Sequence, residues 1–166
     1  MTTRNNLKYL FILFILFASC NSTKEENSAN KQIETQIYST VDYIRQRISS
    51  YPFISIELVS IQDSIYFYFN TYVPLRKGTA QFDRKLNFIG YKEFNNSCLL
   101  FFDNLNQEYS IYNIVDKRRL NKNEDEIINK VKEWHKNNMG AIIEPIRRVY
   151  YLSEKDSLIF VKEIWM

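Results

Sequence analysis

The chain has 166 residues and a formal net charge of +3, and its 45% hydrophobic and 25% charged residues indicate a globular protein of one domain. Its basic clusters are scattered and mixed with acidic residues, which argues against a nucleic-acid partner. Only 3 Gly and 3 Pro leave little material for a phosphate-binding loop or a Pro-rich recognition segment, whereas 12 Tyr, 12 Phe and 2 Trp favour a sheet-rich fold.

Residues 1–19 predict a secretory signal peptide. Arg4 and Lys8 precede a continuous apolar run at residues 9–17, and two small residues separate that run from Cys20. As a helix, nine residues rise about 14 Å. A bilayer core needs roughly 20 apolar residues, so the run is too short to span a membrane.

The sequence Phe17-Ala18-Ser19-Cys20 resembles the lipobox of bacterial lipoproteins. In that family the cysteine thiol receives a diacylglyceryl group and the peptide bond before the cysteine is cut. The resemblance implies a mature chain that begins at acylated Cys20 and binds membrane lipid through it. Phe17 departs from the pattern, because Leu is commonest at that position. The alternative is an ordinary signal peptide with an incidental cysteine.

Residues 20–31 predict a lipidated tether, because residues 21–31 carry no large apolar side chain that a core could bury. Asn21 stands where the best-known signal for inner-membrane retention has Asp. The sequence Lys24-Glu25-Glu26 resembles the export signal of surface-exposed lipoproteins in Bacteroidota-type bacteria, and a charged tether is the alternative. These resemblances imply a place in the cell envelope, at the outer membrane or cell surface rather than the inner membrane.

Residues 32–166 predict a single α+β domain. Ile33, Ile37, Val41, Ile44 and Ile48 recur at helical spacing, and Pro52 ends that helix. A second helix is predicted over residues 123–140, with Asn123 as N-cap, Glu126 at the capping-box position and Gly140 as C-cap. We recognise no specific family in this part of the chain.

Alternation of apolar side chains and turn signals predict about seven strands, which lie at residues 54–59, 65–73, 86–94, 98–102, 109–115, 146–152 and 158–165. Short connections favour antiparallel pairing. The predicted architecture is therefore a mostly antiparallel sheet with an N-terminal helix and a second helix before a C-terminal hairpin.

One turn sequence occurs twice. Residues 59–67 and residues 152–160 both place Asp-Ser and an aliphatic residue between two strands. Asp and Ser suit tight turns because they bond their own backbone. Asp63-Ser64-Ile65 and Asp156-Ser157-Leu158 also resemble the O-glycosylation sequon of Bacteroidota-type secreted proteins, which implies modification of Ser64 and Ser157. Turn chemistry alone and modification both stay open.

The sequence predicts no catalytic residue, no metal site and no cofactor. His135 is the only histidine and is expected on a helix surface. Cys98 lies in an apolar strand and is expected to be an inert buried thiol. One alternative is an envelope hydrolase with paired carboxylates. Its candidate acids are Glu57, Asp83, Glu93, Asp103 and Glu108.

Tyrosines provide the strongest indication of binding. Tyr66, Tyr68 and Tyr72 share one side of a predicted strand. Either a helix covers that side, or the tyrosines form an open platform for an envelope protein or a glycan. The sequence therefore predicts a membrane-anchored, non-enzymatic binding or accessory protein, with a surface carbohydrate-binding lipoprotein as the alternative.

Overall fold

The structure, a computed structural model, describes residues 30–48, 51–73, 75, 82, 86–104, 114–138 and 145–165. Its first helix, α1, covers residues 30–47 and so includes Asn30 and Lys31, which the sequence assigns to the tether. The apolar stripe of α1 is confirmed, because all five of its members are buried. The Arg45 guanidinium donates hydrogen bonds to the carbonyl oxygens of Ile48 and Tyr51, which satisfies acceptors beyond the last helical turn.

Six strands form one sheet in the described part of the chain. They are β1 (Phe53–Ile61), β2 (Ser64–Asn70), β3 (Asn87–Phe94), β4 (Ser97–Asp103), β5 (Ile146–Leu152) and β6 (Leu158–Trp165). Their order across the sheet is β3-β4-β1-β2-β5-β6. The hairpins β1–β2, β3–β4 and β5–β6 occur where the sequence predicts them.

The sheet is mixed, so the expected mostly antiparallel sheet is confirmed in part. Four strand pairs are antiparallel, but β1 and β4 run parallel, with Ile54 opposite Leu99 and Ile56 opposite Phe101. After β2, the connection over residues 71–86 carries the chain to the other side of β1, where the β3–β4 hairpin forms. Short connections constrain only consecutive strands, and β1 and β4 are not consecutive.

The predicted strand over residues 109–115 has no counterpart among the described residues. Residues 109–113 lie outside the described residues. Ile114 and Val115 are buried, but Ile114 is helical and Val115 lies in a turn that leads into a 3-10 helix at Lys117–Arg119. The apolar character of these two residues therefore reflects their burial rather than membership of a strand.

Helix α2 spans Glu124–Asn137, and its predicted N-cap is confirmed. The Asn123 side-chain oxygen accepts a hydrogen bond from the Glu126 N–H at 3.2 Å. The reciprocal bond of a capping box is replaced: the Asn123 N–H donates to Asn121 Oδ1, and Glu126 accepts from the Asn121 amide. Three acidic residues in the first turn also suit the positive end of the helix dipole.

The other end of α2 falls earlier than predicted. Asn138 is the C-cap, and its N–H donates to the carbonyl oxygen of Trp134 at 3.0 Å. Gly140, the predicted C-cap, lies outside the described residues. The buried side of the helix consists of Ile127, Ile128 and Val131.

Each helix packs on one face of the sheet. The stripe of α1 packs on a core that includes Ile54, Ile56, Leu58, Phe67, Phe69, Leu99 and Phe101. The buried side of α2 packs on the opposite face with Phe53, Tyr91, Cys98, Leu100 and Phe102. The α2 core therefore covers β3, β4 and the start of β1. Farther across that face, β2 and β5 carry polar and aromatic side chains.

Candidate functional site

Two of the three predicted platform tyrosines are neighbours. Tyr66 and Tyr68 lie half-buried on the α2 face of β2, with ring centroids 6.5 Å apart. Tyr151 of β5 pairs with Tyr66 and extends the aromatic row across the sheet. Tyr72 follows β2 and lies instead near the rings of Tyr51 and His135, at 6.3 and 6.4 Å. The structure thus joins Tyr66 and Tyr68 to Tyr151, and places Tyr72 beside α2.

A buried polar network lies next to this aromatic row. The Asn70 amide nitrogen donates to Glu57 Oε1 at 3.0 Å and to Ser55 Oγ at 3.2 Å. The Ser55 hydroxyl also donates to Glu57, and Arg147 Nε donates to Asn70 Oδ1 at 2.6 Å. The Arg147 guanidinium carbon lies 5.8 Å from the centroid of the Tyr68 ring. These bonds fix the polar groups beside the tyrosines, since a buried polar group is costly without partners.

The two occurrences of the repeated turn lie side by side. Because β2 pairs with β5, the β1–β2 turn and the β5–β6 turn meet at one end of the sheet. Asp63 has φ 62° and Asp156 has φ 52°, a backbone conformation that Asp tolerates well. The sequence predicts each turn, but it does not predict their adjacency, because adjacency depends on strand order.

An open groove of about 600 Å³ separates these two turns. Its lining comes from both hairpins and consists of Asp63, Ser64, Ile65, Tyr151, Leu152, Ser153, Glu154, Lys155 and Asp156. This volume lies within the range of small-molecule sites, roughly 300–1,000 Å³. We name this feature the turn groove.

The turn groove combines an exposed aromatic ring with hydrogen-bonding groups of both kinds. Tyr151 is 39% exposed, and Asp63, Glu154 and Asp156 supply carboxylate acceptors beside the Lys155 ammonium donor. Within the described ranges, no group of three His, Cys, Asp or Glu side chains is arranged to hold a metal ion. The groove thus offers hydrogen-bond acceptors, an ammonium donor and the apolar face of the Tyr151 ring to a polar ligand.

The two serines predicted to be modified have different surroundings. Ser64 is half-buried and lines the turn groove, so a glycan on its hydroxyl would start inside the groove. Ser157 Oγ accepts a hydrogen bond from the Gln32 amide at 3.0 Å and donates to the carbonyl oxygen of Lys155 at 3.4 Å. Modification of both serines stays a prediction.

His135 and Cys98 both occupy shielded positions. His135 is half-buried on α2, its ring centroid is 5.9 Å from that of Tyr51, and burial lowers the pKa of its imidazole. Its ring is therefore mainly neutral at pH 7. Burial, with a smaller contribution from Glu93, raises the pKa of the Cys98 thiol to about 12. A thiol held protonated at neutral pH is a poor nucleophile.

The carboxylates considered for a hydrolase are spread over the sheet. Glu57 of β1 lies opposite Phe102 of β4 on the α2 face. Asp103 follows Phe102 in β4, and successive side chains of a strand alternate between faces, so Asp103 lies on the α1 face. Glu93 lies opposite Cys98 of β4, whereas Glu57 lies opposite Phe102 of the same strand. Cys98 and Phe102 are four residues apart, so Glu57 and Glu93 are separated by about 13 Å along the strand direction. Asp83 and Glu108 lie outside the described residues.

The membrane-targeting features also fall outside the described residues, since Cys20, the signal peptide and the tether as far as residue 29 are not among them. No described helix has the length and apolar character required to cross a membrane. Comparisons with protein-family models, with curated proteins and with solved structures find no match to this chain.

Proposed function

We propose that this protein is a lipid-anchored, non-enzymatic binding protein of the bacterial cell envelope. The lipobox-like sequence that ends at Cys20 supports the anchor. Asn21 and the Lys24-Glu25-Glu26 sequence support the outer membrane or the cell surface over the inner membrane. Several acyl chains anchor a protein firmly, because each buried methylene contributes about 0.8 kcal/mol.

The turn groove is the observation on which the binding function rests. It brings one exposed tyrosine ring and three carboxylates from two separate hairpins into a single concavity. A sugar presents an apolar face that can stack on an aromatic ring, and hydroxyl groups that can donate to carboxylates. We therefore propose a carbohydrate as the ligand of the turn groove.

A protein partner is the second candidate ligand. Ile61, at the end of β1, is 43% exposed beside the groove, and Tyr66 and Tyr151 continue the apolar surface from it. A flat protein surface could cover Ile61 together with Tyr151, whereas a sugar in the groove would contact Tyr151 alone. A chain anchored at the cell envelope would meet other envelope or secreted proteins, so we propose one of these as the protein partner.

The positions of the candidate carboxylates favour a binding function over an envelope hydrolase. A glycosidase needs two carboxyl groups within about 5–10 Å across one cleft. Among the described candidates, Glu57 and Glu93 are far apart along the sheet and Asp103 lies on its other face. The Glu57 carboxylate is also occupied as an acceptor by Asn70 and Ser55.

Calorimetric titration with soluble oligosaccharides tests the ligand. Chitotetraose, cellotetraose, maltotetraose and mannotetraose are the probes, and Tyr151→Ala is compared with Tyr72→Ala, because the two tyrosines are equally exposed, at 39% and 38%. Loss of the stacking ring in Tyr151→Ala should weaken binding about tenfold. Tyr72→Ala should bind as the unaltered chain does. If no oligosaccharide binds and an envelope protein can be crosslinked to position 151, the ligand is a protein partner rather than a carbohydrate.

Intact-mass measurement tests the anchor. The mature chain should begin at Cys20 and carry the mass of its acyl chains, and Cys20→Ser should remove them. Fatty-acid labelling that persists in Cys20→Ser would refute the anchor. The same spectra report glycans on Ser64 or Ser157, which Ser64→Ala and Ser157→Ala distinguish.

A further inference from the structure

Strand β6 forms an exposed apolar edge. It pairs with β5 on one side, and no other described strand pairs with it on the other. Five of its eight residues are large hydrophobic residues that are at least 36% exposed, namely Ile159, Phe160, Val161, Ile164 and Trp165. We name these five residues the β6 ridge. Trp165 is the most exposed of them, at 52%.

The ridge is apolar on both faces of the sheet. Ile159 lies opposite Tyr151 on the α2 face, whereas Phe160 lies opposite Tyr150 on the α1 face. A partner that stacks on one face of the sheet would leave half of these side chains in water. An apolar medium that surrounds the β6 edge would bury the ridge side chains of both faces at once.

Two features disfavour the addition of another strand at this edge. The pairing of β5 with β6 shifts register between Val149 and Tyr150, which leaves Val161 as an extra residue in a bulge. Lys162 and Glu163 then place charges in the middle of the strand, and Glu163 forms ion pairs with Arg47 and Arg148. Bulges and charges are the features by which edge strands avoid pairing with other chains.

The chain that leads to Cys20 joins the domain beside this edge. At the start of α1, the Gln32 amide donates to Ser157 Oγ, and Gln36 Oε1 accepts from the Leu158 N–H, at the first residue of β6. Cys20 precedes Asn30 by ten residues, and ten residues of fully extended backbone span at most about 35 Å. An acyl group on Cys20 therefore lies within that distance of the first described turn of α1.

We propose that the β6 ridge docks onto the lipid surface that holds acylated Cys20. This inference rests on the lipid anchor of the proposed function. Trp and Phe partition to the boundary between lipid headgroups and acyl chains, and Ile and Val add apolar area there. Lys162, exposed between Val161 and Glu163, is placed to meet phosphate headgroups. Docking of the ridge thus holds the anchored domain in one orientation instead of leaving it free to rotate.

Tryptophan fluorescence of the full-length acylated chain tests this docking. The chain has 2 Trp, so Trp134→Phe leaves Trp165 as the only tryptophan and Trp165→Phe leaves Trp134. Both variants are reconstituted into vesicles of phosphatidylethanolamine and phosphatidylglycerol that contain brominated acyl chains. We expect Trp165 emission to shift to shorter wavelength and to be largely quenched. Trp134, which packs against the α2 core, should keep its emission.

A double substitution, Phe160→Ser with Val161→Ser, removes two ridge side chains and should restore most of the Trp165 emission. Equal and weak quenching of Trp165 and Trp134 would overturn the docking. A second outcome would also overturn the docking. In it, Trp165 is shielded from aqueous iodide but not quenched by bromine, and two copies of the chain crosslink through Val161→Cys. That result would place a second copy of the chain on the ridge.

The intact mass of the same sample separates the docking from the anchor. An acylated chain with an unquenched Trp165 would overturn the docking and leave the anchor intact. A chain with an unmodified Cys20 would overturn the anchor, and the docking with it.

Discussion

Gln36 accepts a hydrogen bond from the backbone N–H of Leu158 at 2.8 Å, between residues 122 positions apart in the sequence. The bond joins the first helix to the first residue of the edge strand, so the N-terminal and C-terminal ends of the domain are held together. Four residues earlier on the same helix, Gln32 donates to Ser157. Helix α1 thereby also positions the turn that forms one wall of the turn groove.

Gln36→Ala should lower the free energy of unfolding by about 1 kcal/mol, because it removes the acceptor of the Leu158 N–H. Alanine is a strong helix former, so the loss cannot be attributed to helix propensity. Gln46→Ala is the matched control, since Gln46 is exposed near the end of the same helix. Urea denaturation of the two variants measures the difference. Equal stability of the two would show that the bond contributes nothing.

Asn70→Leu should lower the free energy of unfolding by about 2–4 kcal/mol. The substitution keeps the shape of the side chain but removes a donor from Glu57, which is only 8% exposed, and an acceptor from Arg147. Asn87→Leu, at an exposed strand position, should change stability by less than about 1 kcal/mol. Adding Glu57→Leu to Asn70→Leu should recover part of the loss. A double variant less stable than Asn70→Leu alone would contradict this account of the network.

Gly90→Ala should destabilise the chain by roughly 1–3 kcal/mol. Gly90 has φ 153° at the irregularity in β3, and an added Cβ would lie 2.9 Å from the Leu120 Cβ and 3.0 Å from the Asn121 carbonyl oxygen. Asn96→Gly is the control with a different expected result, since Asn96 already has φ 61° in the β3–β4 turn. It should be neutral or slightly stabilising. Equal thermal stability of Gly90→Ala and Asn96→Gly would show that position 90 does not require glycine.

The Cys98 thiol should react with Ellman's reagent at pH 8 roughly 10³-fold more slowly in the folded chain than in urea. The pKa is raised from 9.0 to about 12 by burial. Because the folded-state pKa is the higher one, the stabilisation is complete below pH 9 and is lost as the pH rises from 9 towards 12. Cys20→Ser removes the other cysteine from the assay, and Cys98→Ser should flatten this part of the stability profile. Fast reaction of the folded thiol would contradict its burial.

Local patterns predict most of the elements but not their arrangement. The isoleucine stripe of α1 and the N-cap at Asn123 follow from side-chain spacing and chemistry, which act over a few residues. The parallel pairing of Ile54 with Leu99 depends on where a hairpin packs after a long connection. No local pattern records that choice.

The same distinction applies to the candidate site. The sequence identifies Asp63-Ser64 and Asp156-Ser157 as turns, but the groove exists only because β2 pairs with β5. Tyr151 is identical in type to its neighbour Tyr150, yet Tyr150 is buried in the α1 core and Tyr151 is exposed. The register of β5 decides between them, and a one-residue shift would exchange their roles.

Amide NMR spectra of the chain, recorded during titration with the oligosaccharide that gives the strongest calorimetric signal, test most directly whether the turn groove binds a carbohydrate. We expect the perturbed amides to cluster at residues 63–65 and 151–156, and Tyr151→Ala to remove the perturbations. Perturbations centred on Tyr72 and His135, or spread along the β6 ridge with residues 63–65 unchanged, would contradict it.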